Sequence, residues 1–290
     1  MKYIHPTSDI FIKYLFGMEA DSPLLKDFIN ATQQQYDLPR IKSLTVRNPF
    51  NLKTIHFEKE SVLDIKAISE TGEIFNIEVQ TSGNEIFKNR SLYYWSKLYT
   101  AQLEQGKAYK VLHPVICINI LDFNLFSDES RYHLCFMLRD LKDPELFLTD
   151  HLAIHYLELP KLSHYHTDNE LEKWLYYLKH EGKPEEDEQM RILLKENPNL
   201  KKAHEKYVSF TLDSELVDAY EAHMKWKRDY ATGVDEARTK GREEGRQEGR
   251  QEGSRQSKME IAKKMLDKGA EIDFISECTG IDPNALKKIL

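Results

Sequence analysis

The stretch VLDIKAISETGEIFNIEVQ, residues 62–80, carries two carboxylates, Asp64 and Glu78, inside the most β-prone part of the chain. Strand residues alternate faces, so Val62, Asp64 and Lys66 share one side of a first strand. Asn76, Glu78 and Gln80 share one side of a second, with Phe75, Ile77 and Val79 opposite. A turn SETGE centred on Thr71 makes paired positions sum to 142 and sets Asp64 against Glu78. Their β-carbons would lie roughly 4.5–5.5 Å apart, where like charges repel, and the apolar neighbours restrict water. A divalent cation would offset that repulsion, because hard ions such as Mg²⁺ bind one or two carboxylates, waters and phosphate oxygens. A turn one residue shorter would set Asp64 against an apolar position instead. The same residues also fit a solvated sheet face on which Lys66 pairs one acid. Spacing alone leaves both readings open.

Elements on either side must hold this hairpin. SDIFIKYLFG, residues 8–17, has helical apolar spacing, with Ser8 as cap and Gly17 as stop. A second helical stretch starts at Ser22. Residues 41–52 and 55–58 lean towards one strand. After the hairpin, NEIFKNRSLYYWSKLYTAQLEQG predicts a long helix from Asn84 to Gly106. HPVICINIL then predicts a buried strand introduced by Pro114, and RYHLCFML and LAIHYLEL extend the sheet. The order helix, three strands, helix, strand defines a mixed α/β fold. From about Asp168 to Trp226 the chain turns helical and charged. These shifts divide it into a core over 1–167, a helical region over 168–230, a repeat over 231–256 and a small three-helix element over 257–290.

At 290 residues and a net charge of −7, the chain can bury its own core, and any nucleic-acid surface must be a local basic patch. Cys117, Cys135 and Cys278 form no CxxC pair, which argues against a disulfide framework or a cysteine zinc site and fits a cytoplasmic protein. There is no signal-like start and no apolar run of membrane-spanning length. His151 and His155 are four apart on a strand, with His164 and His166 close behind, but no partner acid supports zinc. No phosphate-binding glycine loop or nucleophile elbow is present. In the long helix, Lys88, Arg90 and Lys97 are candidates for phosphate contact beside Tyr93, Tyr94, Trp95 and Tyr99, whose spacing favours packing.

An Asp on one strand followed by Glu-x-Gln on the next, in this order of elements, resembles the PD-(D/E)XK nuclease superfamily. VLDIKA, GEIFNIEVQ, FKNRSLYYWSKLY, AQLEQGKAY, SDIFIKYLFG and the glycine-repeat tail together resemble the recombination-promoting nuclease (Rpn) family, whose members are also described as transposases. The resemblance covers nearly the whole chain. It implies a restriction-endonuclease-like core and a metal-dependent DNA endonuclease that promotes recombination. Asp64 and Glu78 would be metal ligands, with the carbonyl of Val79 and, from the first helix, Asp9. Asp9 equally fits a first-turn acid favoured by the helix dipole. Gln80 stands where the superfamily name has Lys; it can orient water or phosphate but cannot neutralise charge. The family itself commonly carries this Gln. A nearby cation, Lys66, Lys88 or Arg90, would then assist, and Lys13, Lys66, Lys88, Arg90 and Lys97 are the implied DNA contacts. Leu63 replaces the superfamily's Pro. The implied ion is Mg²⁺, with Mn²⁺ or Ca²⁺ as alternatives, and the implied partner is double-stranded DNA. RNA as the substrate, or a catalytically silent DNA-binding or scaffold protein with the same fold, remains the rival reading.

The tail carries the chain's clearest repeat, with Gly241, Gly245, Gly249 and Gly253 every four residues in Gly-Arg-x-Glu units. On a helix, an Arg flank and a Glu flank border the glycine row, and only a parallel pair sets Arg against Glu. This predicts a parallel homodimer with a right-handed crossing. Each Gly weakens a helix by about 1 kcal/mol, so a flexible charged linker competes with that reading. The last stretch, IDFISECTGIDPNAL, has a helix-turn-helix-like bend at Gly280 but few basic residues.

Overall fold

The computed structural model describes residues 2–48, 65–83, 85–183 and 187–287. Helix α1 spans Asp9–Phe16, and the Ser8 hydroxyl caps it by accepting the Phe11 N–H. Gly17 closes it in a right-handed conformation, φ −88°, so glycine is needed for space and not for a left-handed turn. A β-carbon at Gly17 would sit 2.2 Å from the Lys13 carbonyl oxygen. Helix α2 spans Ser22–Gln34. Ile10, Phe11 and Leu15 of α1 and Leu25, Phe28 and Ile29 of α2 form the apolar faces that cover one side of the sheet.

Among the described residues the sheet has six strands in the order β1-β2-β3-β4-β6-β5: β1 Leu44–Val46, β2 Ile65–Ser69, β3 Ile74–Gln80, β4 Val115–Leu121, β5 His133–Arg139 and β6 Phe147–Glu158. The first three strands are antiparallel, β3, β4 and β6 are parallel, and β5 returns antiparallel on β6. A parallel β3–β4 pair needs a crossover, supplied by α3, Ile86–Thr100. The mixed sheet, the element order and the helical C-terminal part agree with the α/β expectation. VICINIL reads as a continuous apolar run because both faces of β4 are covered. Ile116, Ile118 and Ile120 meet α1 and α2, while Val115, Cys117 and Leu121 join Phe87 of α3.

Three expectations change. The expected strand over 41–52 and 55–58 reduces to Leu44–Val46 among the described residues, and 49–64 lie outside them. The long helix stops at Thr100, not at Gly106. Gln102 instead clamps the chain end by exchanging two hydrogen bonds with the His113 backbone, at 2.9 and 3.1 Å, and tertiary bonds outweigh the helical spacing. Asn84, the expected start, lies outside the described residues. Tyr93, expected to pack, is 61% exposed, because α3 buries only the stripe through Phe87, Ser91, Trp95, Leu98 and Tyr99.

Helices α4 Glu170–His180, α5 Glu188–Glu196 and α6 Pro198–Leu212 follow. Trp174 of α4 is fully buried against Phe16 and Phe28, and its indole N–H donates to Asp27 Oδ2 at 2.9 Å. These helices therefore share one core with α1 and α2. Helix α7 runs over Ser214–Asp267, and the chain divides into compact units of residues 1–223 and 224–290. The second unit contains the remainder of α7, α8 Ile272–Thr279 and α9 Pro283–Leu286, with Ala262, Ile275 and Leu286 as a small core. Gly280 ends α8 with φ +69°. Gly241, Gly245, Gly249 and Gly253 lie exposed within α7, with open space where a β-carbon would project.

Candidate active site

The described hairpin pairs are Ile65–Ile77, Lys66–Asn76, Ala67–Phe75 and Ile68–Ile74, the register that sums to 142. Asp64 lies outside the described residues. Phe75, Ile77 and Val79 enter the core under α1 and α2, so Asn76, Glu78 and Gln80 take the other face, towards α3.

Glu78 is the centre of what is described. Its side chain is 5% exposed, and two donors converge on Oε1: Arg90 Nη2 from α3 at 2.8 Å and Gln80 Nε2 at 2.8 Å. Arg90 also lies over the Phe87 ring at 4.8 Å. Burial pushes the Glu78 carboxyl above its ordinary value, outweighing the Arg90 charge and hydrogen bond, and the Asp9 carboxylate pushes it further. Loss of hydration thus outweighs the ion pair and the amide in setting the protonation of this carboxyl.

Asp9 stands in the first turn of α1, with Oδ2 at 3.3 Å from His223 Nε2 of α7. Lys13, one turn on, is buried at 4% exposure. Lys66 is half-buried on β2. Lys88 pairs with Glu85 at 2.5 Å and sits over the Phe126 ring at 4.4 Å. Lys97 is exposed near the end of α3. The structure thus joins Glu78, Gln80 and Arg90 directly and brings Asp9 within electrostatic reach.

His223 has no local signal in the sequence, since it meets Asp9 across 214 positions. Asp122 follows β4, donates its N–H to the Gln80 carbonyl at 2.9 Å, and faces His5 at 3.7 Å. His151 and His155 separate. His151 bonds Tyr99 of α3 at 2.9 Å, whereas His155 is buried with His133, Nδ1 to Nε2 at 2.9 Å. Their shared face is lost because the β5–β6 register shifts between Met137 and Leu138. Among the described residues, no three His, Cys, Asp or Glu side chains gather as a metal site. Glu78 and Asp9, which interact through their charges, are carboxylates of the kind that a hard divalent cation takes as ligands.

A helix-flanked mixed sheet with a buried Glu-x-Gln at the end of its central hairpin is consistent with a PD-(D/E)XK nuclease-like fold. The model of the family described as PD-(D/E)XK nuclease family transposase matches residues 6–237, and the chain belongs to this family. Membership suggests nuclease activity. Comparison with curated proteins and with solved structures found no match. Among the described residues, no helix is long and apolar enough to cross a membrane.

Proposed function

We propose that the protein is a divalent-metal-dependent DNA endonuclease of the cytoplasm that promotes recombination. The observation that carries this reading is the buried Glu78, with Arg90 and Gln80 on one of its oxygens and Asp9 within electrostatic reach. Asp64, Glu78, the Val79 carbonyl and Asp9 would hold Mg²⁺, or Mn²⁺ or Ca²⁺ in its place. Such an ion lowers the pKa of bound water and neutralises charge on the phosphate.

The chain's own groups do the rest. Gln80 orients the attacking water or the phosphate through its carboxamide, and Arg90 supplies the positive charge that Gln80 lacks. His223 holds Asp9 in place. With Lys13 buried, phosphate contacts on a DNA duplex fall to Lys66, Lys88 and Lys97. In α7, the row Gly241, Gly245, Gly249 and Gly253 serves a parallel homodimer. Efficient disulfide trapping of an Arg242→Cys chain with a Glu244→Cys chain, exceeding either variant with itself, would support that arrangement; indiscriminate cross-linking would remove it.

Plasmid cleavage by purified protein tests the catalytic reading, with Asp64→Asn and Glu78→Gln beside the wild type in Mg²⁺, Mn²⁺, Ca²⁺ or EDTA. Metal-dependent nicking lost in both variants is expected. The existing Arg90–Glu78 ion pair favours a second reading, a silent DNA-binding scaffold whose carboxylate is already neutralised. Absence of cleavage by the wild type, with DNA binding unchanged in both variants, would select it.

A further inference from the structure

Helix α3 lies beside Glu78 and carries three cations, Lys88, Arg90 and Lys97, and no carboxylate, in a chain whose net charge is −7. Arg90 meets Glu78 at 2.8 Å. Positions three and seven residues further on share its side of the helix, so Tyr93 and Lys97 continue a stripe that starts at the candidate active site. At 1.5 Å per residue, Tyr93 stands about 4.5 Å and Lys97 about 10 Å along the axis from Arg90. A strand whose phosphate sits at Glu78 would pass both.

Tyr93 is the member of that stripe which the fold does not use. It is 61% exposed, and among the described residues its hydroxyl has no hydrogen-bond partner. The half-buried Tyr94 ring braces it edge-on, at a centroid distance of 5.7 Å. A lone exposed aromatic is ordinary on a protein surface. Tyr93 differs in standing between two cations on a helix free of acids, the combination with which proteins grip unpaired nucleotides: base faces stack on the ring while phosphates follow the cations. A fully paired duplex cannot use such a ring, because its base faces already stack on one another and only their edges are open in the grooves.

We propose that Tyr93 stacks an unpaired base of the DNA strand beside the phosphate at Glu78, with Lys97 on a neighbouring phosphate, so that the substrate is duplex DNA opened at a gap, flap or frayed end. Tyr93 binds and does not react. The proposal rests on the nuclease reading only in placing the scissile phosphate at Glu78, and its test needs no cleavage.

The probes are three fluorescently labelled duplexes of equal length, one with a short gap facing unpaired thymidines, one with abasic sites in place of those thymidines, and one fully paired, titrated into the full-length protein in EDTA and followed by anisotropy. The thymidine gap should bind tighter than the abasic gap by roughly tenfold, the worth of one base stacked on an aromatic ring. Tyr93→Ala should erase that difference and Tyr93→Phe, which keeps the ring, should preserve it. Lys97→Ala should weaken both gapped duplexes by the same factor and flatten the salt dependence by roughly 0.7 in slope. Tyr230, equally exposed at 61% in the second unit, is the control, and Tyr230→Ala should change nothing. Equal binding of thymidine and abasic gaps, indifference to Tyr93→Ala, or a fully paired duplex bound as tightly as the thymidine gap would each overturn the proposal. Base-dependent binding without cleavage in any metal would leave it standing and remove the nuclease reading, whereas cleavage with base-independent binding would do the reverse.

Discussion

Glu78 is a carboxylate that the folded chain holds at a cost. A carboxyl whose folded pKa is raised gives stability below its unfolded value and loses it as pH rises through the folded value. Without metal, the wild type should therefore be penalised at neutral pH. Glu78→Gln should melt higher there, with the difference shrinking towards pH 4, as thermal melts in EDTA will show. In cleavage, the same substitution would remove a proposed metal ligand, and several kcal/mol of transition-state stabilisation correspond to a loss of roughly 10³-fold. Stability and activity thus move in opposite directions, and a merely structural glutamate would not separate them. The hairpin register was legible because a tight turn fixes it and a period of two leaves no intermediate choice. His223 was not, because nothing local marks a contact made between α1 and α7.

At the scale of elements, the β5–β6 pair carries a pH dependence of its own. Burial lowers His133 to about 2 and His155 to about 3, so both stay neutral in the fold while the unfolded chain takes up protons. Their contribution is intact above about pH 6.5 and falls below it, by up to about 1.4 kcal/mol per pH unit for each histidine. Melting midpoints between pH 7 and 5 should fall, and His155→Gln should make the decline shallower. His204, raised by its hydrogen bond to Glu181, opposes this with stability that is present at low pH and lost as pH rises.

The turn after α4 is equally constrained. Gly182 has φ +72°, and a β-carbon there would meet the Tyr207 hydroxyl at 1.9 Å. That hydroxyl donates to the Ile4 carbonyl at 2.9 Å and accepts its N–H at 3.2 Å. Gly182→Ala should therefore destabilise by about 2–4 kcal/mol, combining left-handed strain with lost hydrogen bonds, measured by denaturant unfolding. What could be read at this scale were uninterrupted patterns: VICINIL announced a strand covered on both faces, and DIFIKYLF a helix with a cap. Where tertiary contacts decided, as in the Gln102 clamp and the β5–β6 register shift, the pattern misled.

At the scale of the molecule, the repeat in α7 separates helix propensity from association. With open space at every repeat glycine, Gly→Ala at 241, 245, 249 and 253 meets no clash within the chain. Each change should add about 1 kcal/mol of helix stability. If the glycine row is the dimer seam, the added methyls should also weaken self-association. Circular dichroism and sedimentation should then report more helix but less dimer, whereas a free helical tail would gain helix with no change in mass.

The aromatic bed beneath the first two helices sets a limit on how the chain can be shortened. A fragment cut after the last strand, at residue 167, would look like a complete α/β core, but it would strip Trp174 from Phe16 and Phe28, Phe210 from Phe11, and His223 from Asp9. Such a fragment should precipitate, or survive with a loosened first helix and a displaced acidic group. For expression, crystallisation or grafting, the smallest honest unit of this protein reaches at least to His223.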